Sequence, residues 1–265
     1  MAAEDKVVEE LSEGGQLLKI QLNAPKGNVL DTQMIEAVTA SLTRHDSASL
    51  KAVIFEGAGS HFSFGASVPE HQKSQVRKML PTFHDLFRLL LKMGVPTFAA
   101  VRGQCLGGGL ELAGYCSWIM ASPTAMFGQP EIKLAVFPPM ASLLLPWRLG
   151  GARGMDLCVS GRSVNAEEAH RMGLVHSISE DPVAAAIQFA REHLLGSSGS
   201  SLRFADRAAR LGLARQFIEA LPALEELYLD ELMETHDANE GITAFLERRK
   251  PVYAASKPQS GQSTR

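Results

Sequence analysis

The chain has 265 residues, 45% of them apolar and 21% charged, with a net charge of −3. A chain of this length buries one large core and has room for a small appendage. The near-neutral charge excludes a dominant basic face for nucleic acid, and no apolar run reaches the roughly 18 residues that span a bilayer.

Residues 1–15 are acidic and polar, unlike a secretory or transit segment. Residues 17–22 alternate as a strand, and Asp31 is a fitting N-cap for a helix running to about Arg44. Residues 52–55 form a short buried strand. From Val76 to Leu91 the apolar positions Val76, Leu80, Phe83, Leu86, Phe87, Leu90 and Leu91 fall at helical spacing. Gly94 caps that helix and Pro96 ends the unit. Residues 97–101 and 118–121 are further strands. This alternation predicts an α/β layered core. After about residue 140 the strand signal fades. Residues 166–172 and 183–195 predict helices, residues 196–201 form a Gly/Ser linker, and residues 202–249 are helical.

Two acidic residues stand out. Glu111 follows the triple glycine Gly107-Gly108-Gly109, and Glu131 lies in Phe127-Gly128-Gln129-Pro130-Glu131. Both neighbourhoods are apolar, so both carboxylates are expected to be buried. Paired buried carboxylates suit proton transfer. The glycines supply backbone N–H groups for a developing negative charge. A phosphate loop is disfavoured, because Leu110-Glu111 stands where Gly-Lys-Ser/Thr is required. A second candidate anion site is Phe62-Ser63-Phe64-Gly65-Ala66-Ser67, after a short strand and a turn. Convergence of one N–H from each segment would make an oxyanion hole.

These motifs resemble the crotonase (enoyl-CoA hydratase/isomerase) superfamily. The resemblance rests on Gly65-Ala66, on Gly107-Gly108-Gly109-Leu110-Glu111 and on Phe127-Gly128-Gln129-Pro130-Glu131. It continues through Asn165-Ala166-Glu167-Glu168-Ala169 and Gly173-Leu174-Val175 to Ala244-Phe245-Leu246-Glu247-Arg248-Arg249-Lys250-Pro251. The resemblance implies a crotonase-like spiral of ββα turns with a helical C-terminal region. It implies that Glu111 and Glu131 are catalytic and that the Ala66 and Gly108 N–H groups hold a thioester carbonyl. Phe64, Gly65 and Ser67 are then expected along the acyl-CoA, Phe137 at the pocket wall, and Lys26 and Lys250 at the CoA phosphates. Within the family, Ser67, the segment Ala135-Val136-Phe137-Pro138-Pro139-Met140 and the early Ala24-Pro25-Lys26-Gly27 look like the branch that hydrates cyclohexa-1,5-diene-1-carbonyl-CoA. A general short-chain enoyl-CoA hydratase or isomerase is the alternative, and a non-catalytic acyl-CoA binder is the alternative from another class.

The expected organisation is an α/β core over residues 1–196, a helical oligomerisation region over 197–258 and a disordered tail over 259–265. The expected partners are the acyl-CoA substrate and further copies of the chain, as a homotrimer or homohexamer, with no nucleic acid and no membrane. No cofactor is expected beyond the coenzyme A of the substrate, and no metal. A cytoplasmic location is expected. Cys105, Cys116 and Cys158 show no metal spacing and are expected to be buried apolar fillers. His61, His84, His170 and His176 are expected to be structural, and Glu225, Glu226, Glu231 and Glu234 to form a solvated helix face.

Overall fold

The computed structural model describes residues 6–24 and 26–254. The predicted tail over 259–265 lies outside the described residues. A six-stranded sheet organises the chain. Its strands are β1 (Val7–Ser12), β2 (Leu17–Leu22), β3 (Ala52–Gly57), β4 (Thr97–Val101), β6 (Trp118–Ala121) and β9 (Ser177–Ile178), in the order β1-β2-β3-β4-β6-β9. The β1–β2 pair is antiparallel and the rest are parallel. A smaller sheet joins β5 (Gln104–Leu106), β7 (Met126–Gly128) and β8 (Ser163–Asn165) in the order β5-β7-β8.

Parallel strands covered on both faces read as continuous apolar runs, and β3 and β4 do so. The pleat divides them between two cores. Leu18, Ile20, Val53, Phe55, Ala99 and Val101 face one core. Leu17, Ala52, Ile54, Phe98 and Ala100 face the other, which Ala186 and Ala190 of a helix over Pro182–His193 cover.

The helices are α1 (Thr32–His45), α2 (Val76–Met93), α3 (Gly108–Tyr115), α4 (Pro139–Leu149), α5 (Gly151–Ser160), α6 (Ala166–Met172) and α7 (Pro182–His193). Then follow α8 (Gly199–Ala209), α9 (Leu211–Glu219), α10 (Leu221–Glu226) and α11 (His236–Leu246). Asp31 caps α1 as expected, its Oδ1 accepting from the Met34 N–H at 2.8 Å. Gly94 ends α2 at φ +61°, its N–H donating to the Leu90 carbonyl at 3.1 Å.

Three expectations need correction. The Gly/Ser stretch over 196–201 is not a free linker, because Ser198 caps α8 and Gly199 begins it. Glu225 is not simply solvated. It accepts from buried His84 at 2.7 Å and from Arg88 at 3.1 Å, which also ties α2 to α10. Strand β1 falls within the stretch expected only to be polar, because an edge strand alternates exposed and part-buried residues. The three cysteines are free and buried, as expected.

Candidate active site

Gly107 places the two glutamates beside each other. Its backbone adopts φ +50°, ψ −127°, which an L side chain rarely adopts. A Cβ there would come within 2.6 Å of Glu131 Oε1, so the Glu131 carboxylate rests directly on this turn. The same turn starts α3, whose first turn carries Glu111. Glu111 is only 5% exposed. Its Oε1 accepts the Ala141 N–H at 2.7 Å, from the first turn of α4. Burial pushes the Glu111 carboxyl up to about 7, against the pull of the Ala141 and Met140 backbone donors.

Glu131 lies in a 3₁₀ turn over Pro130–Leu134 and is half-buried rather than buried. It opens onto a cavity, whereas Glu111 sits beneath. Burial first, and then repulsion by Glu111, holds the Glu131 carboxyl well above its ordinary range. Burial therefore favours the protonated form of both carboxyls, and the charge of Glu111 favours it further at Glu131. Gln129 is fully buried. With its NH₂ turned toward the neighbouring acceptors, it donates to Glu131 Oε2 at 3.0 Å, Oε1 at 3.1 Å and the Gly107 carbonyl at 3.3 Å. Ala135, which follows the turn, takes a left-handed φ of +58° despite its side chain. Such strain clusters at functional sites.

The second segment meets the first at Gly65. Its φ is +101°, and a Cβ there would lie 2.8 Å from the Leu106 carbonyl and 3.3 Å from the Gly108 nitrogen. Buried Asn28 holds this segment in place. Its side-chain NH₂ donates to the carbonyls of Ala58, His61 and Phe62. Ser63 adds a bond from its Oγ to the Asn28 carbonyl at 2.8 Å. The Ala66 nitrogen is 3.1 Å from the point where a Gly108 Cβ would stand. Among the described residues, neither the Ala66 nor the Gly108 N–H enters a loop or cap backbone bond. Two free donors therefore lie close together beside the carboxylate pair.

A cavity of about 390 Å³ opens here. Ala66, Gly107 and Glu131 line its polar part, and Val68, Leu134, Val136 and Phe245 its apolar part. Phe64 stands between this cavity and a second one of about 620 Å³, which Lys26 and His61 line. Thus Phe64, Gly65, Ala66 and Glu131 meet at one cavity, with Gly108 and Glu111 behind its wall. Lys26 lies at the neighbouring one. Three expected residues do not line this cavity. Ser67 is buried and its carbonyl accepts from His71 Nδ1 at 2.8 Å. Phe137 turns its ring onto Tyr228 at 5.3 Å between centroids. Lys250 is exposed beyond α11 and lines neither cavity.

Sequence reasoning missed His71, Gln129, Tyr228 and Phe245. His71 lines the cavity with its Nδ1 committed to a carbonyl, and burial holds its pKa down. Gln129 was within reach, since it sits two residues before Glu131. Tyr228 was masked by the apolar stripe around it.

The sequence profile of the enoyl-CoA hydratase/isomerase family matches residues 12–256. The chain is 50% identical over 240 residues to the cyclohexa-1,5-dienecarbonyl-CoA hydratase of Thauera aromatica, covering 90% of this chain and 93% of that protein. It is 30% identical to the crotonyl-CoA hydratase of Syntrophomonas wolfei, over 96% of this chain and 99% of that one. An enoyl-CoA hydratase structure from Mycobacterium avium subsp. paratuberculosis superposes with a TM-score of 0.81 at 25% identity, covering 94% of this chain and 99% of that one. The fold is therefore the crotonase fold, and the chain belongs to the enoyl-CoA hydratase/isomerase family.

Proposed function

We propose that this protein adds water to cyclohexa-1,5-diene-1-carbonyl-CoA, giving 6-hydroxycyclohex-1-ene-1-carbonyl-CoA. The observation that carries the reading is the Glu111–Glu131 pair beside two free backbone donors at one cavity. The 50% identity to the Thauera aromatica enzyme supports the ring substrate.

The thioester carbonyl accepts from the Ala66 and Gly108 N–H groups. These stabilise the negative charge that develops on its oxygen. Withdrawal of electrons makes the ring carbon β to the carbonyl (C2) electrophilic. Glu111 takes one proton from a water molecule, and the hydroxyl bonds to that carbon. The electron pair of the first double bond moves into a dienolate shared among the carbonyl oxygen, the α-carbon and C5 across the ring. Glu131 gives its proton to C5, and the remaining double bond settles between the α-carbon and C6. Water is added in full, and both glutamates exchange protonation states, reset by transfer between them or with solvent. Every step is a proton transfer or an addition, so the reaction draws on coenzyme A only as part of the substrate.

The test is hydration of the cyclic dienoyl-CoA and of crotonyl-CoA by the purified protein. Val136 lines one side of the cavity, and the buried Pro138 and Pro139 that follow it in the chain fix the backbone there. A stiff apolar wall suits a compact ring. The expected preference in kcat/KM for the cyclic diene is about 10–200-fold, the range that pocket contacts supply. Equal or better turnover of crotonyl-CoA would leave a general enoyl-CoA hydratase.

The assembly we infer is a homotrimer or homohexamer. Its support is the exposed row Phe204, Leu211 and Ile218 on α8 and α9, around an open groove of about 940 Å³. Leu221, Leu224 and Leu232 further along the same helical region pack into the protomer's own core instead.

A further inference from the structure

We infer that Tyr228 is a third polar member of this active site, and that its phenol donates a hydrogen bond to the oxygen that water brings to the substrate. The inference rests on the hydratase reading above and adds a residue to it.

Tyr228 is 1% exposed, and its hydroxyl has no hydrogen-bond partner among the described residues. Burying a hydroxyl without a partner costs stability, so such a group in a native core needs an explanation. Its surroundings supply one. The ring packs edge-on against Phe137, which lies four residues before Ala141, the residue whose N–H holds Glu111. The phenol is near enough to Glu131 and Glu111 that both carboxylates act on it. Burial first, and then those two negative charges, push its pKa above the ordinary phenol value. It therefore keeps its proton, which is available to an acceptor placed between the phenol and the pair.

The backbone adds a second observation. Tyr228 lies in a π-helical turn over Leu227–Glu231, between α10 and a short 3₁₀ turn. Turns of this kind interrupt α-helices mostly at functional sites. Here the turn carries the unpartnered phenol into the core beside Phe137, among leucines that pack there.

The acceptor such a donor fits is the oxygen held between the two glutamates. In hydration that oxygen belongs to the attacking water. In the reverse direction it is the leaving hydroxyl, where a donor helps to carry the charge as the C–O bond breaks. The phenol keeps its own proton throughout, so the balance of the reaction is unchanged.

Tyr228→Phe removes only the hydroxyl. Wild type and variant are assayed on the cyclic dienoyl-CoA and on crotonyl-CoA, with inhibition by saturated cyclohexanecarbonyl-CoA, which has no oxygen at that position. The expected result is a fall in kcat of about 10–100-fold on whichever thioester wild type hydrates, the worth of one hydrogen bond to a charged centre. KM and the inhibition constant should stay within about threefold, because ground-state binding is untouched. The melting temperature should hold or rise, since an unpartnered buried hydroxyl is gone. A variant with kcat within about twofold of wild type overturns the inference. So does a lowered melting temperature with normal kcat, which would make the hydroxyl a packing element. Wild type active on crotonyl-CoA alone overturns the ring substrate and leaves the Tyr228 comparison to be read there. Wild type inactive on both thioesters overturns the hydratase reading and this inference together.

Discussion

Glu111 and Glu131 owe their chemistry to different surroundings. Glu111 is enclosed and held by backbone donors, while Glu131 faces the cavity and carries the repulsion of its neighbour. A general base and a general acid each contribute about 10²–10⁴-fold. Glu111→Gln and Glu131→Gln should each lower kcat by that much with the fold retained by circular dichroism. A variant keeping half of wild-type turnover would remove that residue from the mechanism. A second consequence concerns stability. The folded-state pKa of Glu111, about 7, lies above its ordinary value of 4.5. Its contribution is therefore intact below pH 4.5 and is lost as pH rises through about 7, where a charge must sit in the core. Glu111→Gln should then gain stability relative to wild type at pH 8, by up to about 3 kcal/mol, and gain little at pH 4. Urea titrations at the two pH values measure the difference, and an equal effect at both would deny the buried charge.

At the scale of elements, short turns do more than long helices. Gly107 combines a backbone conformation closed to L residues with a carboxylate where its Cβ would be. Gly107→Ala should cost about 1–3 kcal/mol of stability through the backbone alone. It should also displace Glu131, so turnover should fall further than the melting temperature implies. Thermal melts beside kcat measurements separate the two effects. The turns also mark where sequence reasoning succeeds and stops. Helix α2 was legible because Val76, Leu80, Phe83 and Phe87 repeat at helical spacing over about three turns of chain. Strands β5, β7 and β8 have three residues each, too few for any period to register, and their pairing is long-range. The pair Glu111 and Glu131 was legible because carboxylates are rare among glycines and apolar residues. Tyr228 and Phe245 were not, because each is one more large side chain in an apolar stripe. Only the path of the C-terminal helices reveals which of them meets the site.

For the whole molecule, the same limit applies to its long-range ties. Arg210 is nearly fully buried, its guanidinium donating to the Tyr115 carbonyl, to Ser117 Oγ and to Asp206. This anchors α8 and α9 to the end of α3, and nothing in the local sequence announces it. What α8 and α9 leave uncovered is Phe204, Leu211 and Ile218, the last 76% exposed. Ile218→Glu should weaken subunit association by placing a charge in an apolar contact. Light scattering should find wild type as trimers or hexamers and the variant shifted toward monomer. A wild type that is monomeric and active at micromolar concentration would defeat the proposed assembly.

Gly241 links these scales. A Cβ at this position in α11 would come within 2.2 Å of the Leu134 carbonyl and 3.2 Å of the Ala135 Cβ, so the helix backbone presses on the turn that bears Glu131. One helical turn later Phe245 reaches the cavity itself. Helix α11 thus serves as a clasp on the turn that bears Glu131, although it adds no strand to either sheet. Terminal helices open at lower free energy than a central parallel sheet does. Warming or a proteolytic cut near the end of the chain therefore releases the clasp first, and silences the enzyme while most of its architecture still stands.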